Sequence, residues 1–374
     1  MPTNIPRVDV LPLPGPVWLM TALLLVVFTL HVLAMNAAVG GGLWTVWNYF
    51  RGRNAEHPYS RRLANELAKM LPVLLAFTVT LGVAALLFVQ VLFGNFLYAS
   101  SILIGSLWLA VIPLVMLAYY GYYYVANTAE RGSGTTGVVA LISVVILLCV
   151  GFIYSNNMTL MLVPSRWLAM YRAHPNGWNL NLGEPLLYPR YLHIMNGAIA
   201  VFSAILAHIG MRKMKADFDY GRWLVRRGAT VFGICSGIQF LLGLWLLISV
   251  PREIMLSFLR DPLASSLLGL SLILVIAAVV SMMVGAMAER PTKLVNAGFG
   301  MMVITLTLMV GMRHLLRAAY LKDYANLSAL QVQPQVGVIA IFLVLFVGGL
   351  VTVGYMLALL VRSSKDKTRT VAAS

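Results

Sequence analysis

Nine apolar runs dominate the chain, at 17–49, 71–97, 101–126, 136–163, 191–211, 224–249, 265–288, 293–316 and 337–361. Each reaches the roughly 20 residues that carry an α-helix across a bilayer core. In hydrocarbon a segment must satisfy its own backbone N–H and C=O groups, so runs of this length fold as helices. The expected fold is an all-α membrane protein, a bundle of about nine transmembrane helices. Only 10% of the 374 residues are charged and 60% are hydrophobic, against about 25% charged in a soluble domain. No internal repeat or soluble insertion interrupts the pattern. Residues 1–362 read as one transmembrane domain and 363–374 as a basic tail.

The net charge of +15 is explained by where the charges fall. Counted on alternate sides of the nine runs, one side holds 18 Lys and Arg and the other holds 9. The positive-inside rule then puts the N-terminus outside and the C-terminus in the cytoplasm. The basic character reflects this topology and contact with anionic lipid; it calls for no nucleic acid. The first run is longer than a signal-peptide core and lacks a basic flank, so no cleavage is expected. "RGRNAEHPYSRRLANELAKM" is expected to hold an interfacial helix on the cytoplasmic side. The Trp- and Tyr-rich stretch 165–190 reads as a lid on the outer face, or as a partner-docking surface or quinone wall. Cys149 and Cys235 lie in apolar runs without ligand spacing and read as inert buried thiols.

All twelve Asp and Glu residues lie in loops or at the ends of runs. That argues against a carboxylate relay through the membrane, and against transporters that couple through a buried acid. The intramembrane histidines are the exception, at His31, His193, His208 and His314. Neutral imidazole is a common metal ligand, including for haem iron. A flat macrocycle also suits the space between helices, its axial ligands coming from inward side chains. Each histidine has a plainer reading as a hydrogen-bonding contact between helices. His193 and His208, fifteen residues apart, would share a helix face about 22 Å apart along the axis. The twenty methionines read mostly as packing, and Met309 and Met35 stand out only because a thioether can serve as an axial ligand in cytochromes. Glycines at 40–42, 82, 94, 197, 237 and 243 allow close backbone approach by a helix or a macrocycle.

Three stretches carry a resemblance. "LMTALLLVVFTLHVLAMNAAVGGGLW" resembles the first helix of the large subunit of cytochrome bd quinol oxidases, with His31 at the place of a haem-ligating histidine. "LLAFTVTLGVAALLFVQVLFGNF" resembles that family's second helix at Gly82-Val83-Ala84 and Phe93-Gly94. "YLHIMNGAIAV" resembles the helix bearing the axial histidine of its low-spin b haem, which falls on His193. The resemblance implies a bacterial cytoplasmic membrane location, haem b and a quinone substrate. It also has departures. The third helix lacks the family's glutamates, and Met309, followed by His314, stands near the place of a glutamate ligand. The Gly-Arg-Gln-Pro-Trp signature is replaced by "MRHLLRAAYLKDY", and the quinol loop shrinks to "PREIMLSFLRDPLASS".

The combined reading is a b-type membrane cytochrome that does not reduce oxygen. It would pass electrons between the quinone pool and an outer-side c-type cytochrome or iron–sulfur subunit, alongside other membrane subunits. His31, His193 and His314 are the expected iron ligands, with His314 as the partner of His193; His208 is either a ligand of a deeper haem or a polar contact. Arg190, Arg313, Arg317 and Arg252 are placed to pair with haem propionates or with lipid phosphate. Arg252, Glu253 and Asp261 mark a candidate quinone position. The alternatives are a haem-free anchor subunit of a redox complex, a solute transporter, and an oxygen reductase of unusual design.

Overall fold

A computed structural model describes residues 12–54, 56–131, 134–289 and 291–371, without the side chains of residues 134, 328, 353 and 356–371. Eleven α-helices follow one another: α1 Val17–Arg51, α2 Pro58–Leu103, α3 Gly105–Thr128, α4 Gly134–Leu160, α5 Trp167–Ala173, α6 Leu187–Lys213, α7 Phe218–Ile248, α8 Arg252–Arg260, α9 Pro262–Met287, α10 Thr292–Leu321 and α11 Val336–Val371. Among the described residues there is no strand, only one isolated bridge between Leu13 and Val332. Eight helices are long and apolar enough to cross a membrane. The ninth expected span falls on α11, where the apolar stretch assessed is Val336–Thr352. The fold is an all-α, multi-pass membrane bundle. Helix α11 runs on to Val371, into the expected tail, whose last three residues lie outside the described ones.

The apolar surface these helices keep fits a lipid solvent. Leu109, Leu241 and Ile273 are each about two-thirds exposed, on helices that are hydrophobic all round. Water would make such faces an aggregation surface, whereas lipid makes them the normal exterior. Cys149 belongs to that exterior, against expectation, while Cys235 is buried. Where helices meet, small residues take over. A Cβ on Gly40 of α1 would stand 2.2 Å from the carbonyl oxygen of Ala198 on α6, so only glycine permits that approach. Gly94 and Gly237, expected to serve the same purpose, face open space.

Two compact units divide the chain, one from Leu23 to Ala325 and one joining the segment that ends at Ala22 to the segment that begins at Asn326. In the second unit the backbone N–H of Leu13 donates to Gln331 O at 2.8 Å, and that of Gln333 donates to Leu13 O at 2.9 Å. In the first unit the long helices alternate in direction, which gives it two ends. One, the basic end, gathers the start of α2, the end of α3 and the α6–α7 turn, joined by Lys69–Glu130, Arg62–Asp217 and Lys213–Glu66. The other, the loop end, carries residues 161–186.

Two local features differ from expectation. The polar stretch before the second apolar run is no separate interfacial helix. Pro58 opens α2, its fixed φ and missing N–H suiting a first helical turn, and the helix continues unbroken past Met70. Near its far end α2 kinks at Phe93, whose φ of −134° and ψ of 32° leave helical geometry. The loop after α4 is packed down at many points. Trp167 is buried and its indole N–H donates to Leu160 O at 2.8 Å. Asn179 donates from its side chain and its backbone to Leu103 O, closing the end of α2. Gly177 adopts a φ of 76°, and a Cβ there would meet the backbone N of Ser106 at 3.0 Å, so glycine is required twice over.

Candidate functional site

Thr78 and Gly82 lie one turn apart on α2 and face His31 on α1. The Nδ1 atom of His31 is 3.0 Å from Thr78 O. A carbonyl only accepts, so Nδ1 carries the hydrogen and donates it, which leaves Nε2 with its lone pair. This is how ligating histidines are commonly held in one tautomer and orientation. Gly82 gives the ring its space, since a Cβ there would stand 2.8 Å from His31 Cε1. The Phe28 ring packs beside the imidazole, with centroids 5.9 Å apart.

The guanidinium of Arg313 lies over the other side of this group, its Cζ 4.2 Å from the Phe28 centroid. Arg313 and Arg317 are four residues apart on α10 and so share a face. Arg317 is buried, its Cζ 5.1 Å from the centroid of Phe93, at the kink of α2. His314 meets the same phenyl ring edge to face, with centroids 6.2 Å apart. Arg190, near the start of α6, interacts electrostatically with both Arg313 and Arg317. Three cations thus gather at the loop end with two histidines, His31 and His314, both within the electrostatic reach of Arg313.

No carboxylate neutralises them among the described ion pairs. Glu184, which interacts with Tyr320, is engaged by Arg166 at 3.1 Å. The Nε of Arg313 and the hydroxyl of Tyr320 are buried without a hydrogen-bond partner. Like charges held out of water cost several kcal/mol per ion unless an opposite charge joins them. The arrangement therefore suits an anionic, carboxylate-bearing ligand.

His193, one turn along α6 from Arg190, lies against α7. Its Cε1 is 3.4 Å from where a Gly243 Cβ would stand, and its Nδ1 is buried without a partner. Beneath it runs a polar chain. The Asn196 amide donates to Cys235 O and to Gln239 Oε1, and Gln239 Nε2 donates to His193 O at 2.8 Å. His208 lies nearer the basic end, stacked on Phe299 of α10 at 4.7 Å, with Asn296 beside it. Met309 is half-buried on α10, and Met35 packs against the core formed by α1 to α4. No cluster of three or more His, Cys, Asp or Glu side chains able to hold a bare metal ion occurs among the described residues.

The candidate quinone segment forms α8 and the turn after it. Asp261 there accepts from Ala264 N at 2.8 Å, capping α9. Beside it an open hollow of about 630 Å³ is lined by Glu253, Leu256, Ser257, Arg260, Asp261 and Pro262; Arg252 does not line it.

Sequence reasoning passed over Thr78, Phe28 and the Asn196–Gln239 pair, and gave Phe93 no role at the site. The amide pair left a readable signal, since two amides inside apolar runs need partners. Thr78 left none, because its contribution is a backbone carbonyl.

No protein-family profile and no curated protein matches the chain. Among solved structures it is similar to a chain of the bd oxidase from Geobacillus thermodenitrificans, with a TM-score of 0.72 and 14% sequence identity. The match covers 94% of this chain and 99% of that one. At that identity the likeness establishes the fold: this is a multi-pass membrane protein built on the helical architecture of the bd oxidase chain.

Proposed function

We propose that this chain is a haem-b-binding subunit of a respiratory electron-transfer complex in a bacterial cytoplasmic membrane. It passes electrons between the quinone pool and an outer-side redox partner, a c-type cytochrome or an iron–sulfur subunit, in the company of other membrane subunits. The observation that carries this reading is the Arg190–Arg313–Arg317 cluster beside His31 and His314. Imidazoles with free ring nitrogens, glycine-lined space and uncompensated guanidinium groups together suit a macrocycle that bears carboxylates.

Bound haem would supply reversible one-electron chemistry. The protein's own part is to hold and tune it. His31, His193 and His314 would hold the iron, and Thr78 O fixes the His31 ring through Nδ1. The arginines would receive the propionates, and their positive potential would favour the state carrying one more electron. Phe28 and Phe93 exclude water from the guanidinium faces, so those charges act at low dielectric. Glu253 and Asp261 offer the quinol hydroxyls acceptors at the α8 hollow. The third apolar run has no carboxylate where the resembled family carries glutamates, which favours the outer-side partner over oxygen as the acceptor.

The test is anaerobic addition of a short-chain quinol to the purified protein while the visible spectrum is followed. Appearance of a reduced b-type band supports the reading. A haem band that quinol cannot raise removes the quinone step, and a d-type band with oxygen consumption restores the oxygen reductase.

A further inference from the structure

The basic end keeps one cation over. Its ion pairs join Lys69 to Glu130, Arg62 to Glu66 and Asp217, and Lys213 to Glu66. With Arg61 counted, four cations meet three carboxylates, and Arg61 has no acid among the described ion pairs. Its guanidinium lies over the Tyr49 ring instead, with Cζ 5.3 Å from the centroid. The turn after α1 packs against its backbone, since a Cβ on Gly52 would stand 2.8 Å from Arg61 N. The Tyr49 hydroxyl and, one turn along α2 from Arg61, the Asn65 Oδ1 atom are buried without partners. An open hollow of about 480 Å³ takes in Arg61, Arg62, Asn65, Glu66, Lys69 and Glu130.

These walls narrow what can fill the hollow. A guanidinium without a counter-ion selects an anion, and its fork suits the paired oxygens of a phosphate group. Glu66 and Glu130 oppose a dianion, so the match is a monoanion, equal to the single excess charge. Asn65 Oδ1 only accepts, and calls for a donor beside that anion. A phosphodiester with a hydroxylated headgroup meets all of these demands.

The helix beyond the hollow fits the rest of such a molecule. Asn65, Val73, Val83 and Leu87 all fall within about 40° of Lys69 around α2, at 3.6 residues per turn. Val73, Val83 and Leu87 are each more than half exposed. One face of α2 therefore changes from charged to apolar along its length, in the order of a headgroup and its acyl chains.

We propose that the hollow at Arg61 binds a monoanionic phospholipid of the phosphatidylglycerol class. The phosphodiester sits on the Arg61 guanidinium, the headgroup hydroxyls reach Asn65, and the acyl chains lie on the strip from Val73 to Leu87. The site stands apart from the haem reading, and haem-free protein carries it equally.

Full-length protein in nanodiscs tests this. Thermal unfolding is read in phosphatidylglycerol, in phosphatidylcholine, and in phosphatidylcholine with inorganic phosphate added. The parent should unfold at a higher temperature in phosphatidylglycerol than in phosphatidylcholine, and native mass spectrometry should find phosphatidylglycerol retained on it. Arg61→Gln should weaken that retention at least about tenfold, the worth of a hydrogen bond to a charged group, and shrink the temperature difference. Asn65→Asp supplies Arg61 with an internal counter-ion and should remove the preference, which decides the matter even if Arg61→Gln fails to fold. Arg226→Gln, at an exposed arginine of α7 outside the hollow, should leave the preference at the parental level. A parent without the preference overturns the proposal, as does a preference that survives Asn65→Asp. An equal loss in Arg226→Gln would make the attraction diffuse and also overturn it. A rise with inorganic phosphate as large as that with phosphatidylglycerol would make free phosphate the ligand and overturn the lipid assignment.

Discussion

The two ends of the first unit handle charge in opposite ways. At the basic end acids and bases are matched. Glu66 accepts from Lys213 and from the Tyr220 hydroxyl, each at 2.9 Å, and from Arg62 at 3.3 Å. Arg62 reaches on to Asp217, and Lys69 pairs with Glu130. Mixed pairs of this kind tie helix ends together. At the loop end three arginines crowd around two histidines, and Glu184 there is already taken by Arg166. Apart from Arg61, the first pattern completes itself within the protein. The second has no internal counter-charge among the described ion pairs and suits an anion, and this difference separates structural charge from charge open to a ligand.

Four substitutions probe that contrast. The largest effect is expected from His31→Ala, which should lower bound haem at least about tenfold, since even an outer partner of a ligand is worth that much. Absorbance per mole of purified protein measures it, and haem retained at the parental level would make His31 a packing residue. Next come two changes of similar size and opposite sign. Glu66→Ala strands Lys213 and Tyr220 and should destabilise the protein by about 1 kcal/mol, a figure reduced because the group is partly solvated. Arg313→Met should stabilise haem-free protein by about 1 kcal/mol by removing an uncompensated charge, and should weaken haem binding. Thermal unfolding with and without haem reads both. If Arg313→Met destabilises the haem-free form, the loop end is as self-sufficient as the basic end.

The smallest effect belongs to Asp217. Its carboxyl is held below the usual carboxylate range, first by the Arg62 hydrogen bond and then by the N–H of Tyr220, which it caps. A depressed value means that its contribution to stability is present above about pH 4 and is lost as pH falls through the lowered value. Asp217→Asn should therefore lower stability slightly at neutral pH, leave it nearly unchanged below the lowered value, and so flatten the acid limb of a stability–pH curve. An unchanged acid limb would mean that the pair is too solvated to matter.

Much of the architecture was legible because lipid makes secondary structure depend on composition. A run such as 265–288 can satisfy its backbone only as a helix, and α9 occupies Pro262–Met287. Boundaries were harder where the helix leaves the hydrocarbon. The polar turns between Pro58 and Met70 carry a charged face, so apolar patterning began the span too late, although Pro58 marked the true start. In the site, histidines and arginines stood out because charge is rare among apolar residues. Their grouping did not, since it depends on α1, α2, α6 and α10 meeting at one level. The burial of Asn181 was invisible for another reason: an asparagine in a loop usually faces water, and only the packed fold shows this one buried.

The most direct test of the central claim is a pyridine haemochrome assay with a reduced-minus-oxidised spectrum, on purified protein and on Arg313→Met and His31→Ala. The account predicts a b-type signal in the parent, weakened in Arg313→Met and largely lost in His31→Ala. A folded protein with no haem signal would contradict it and leave the arginine cluster to another anion.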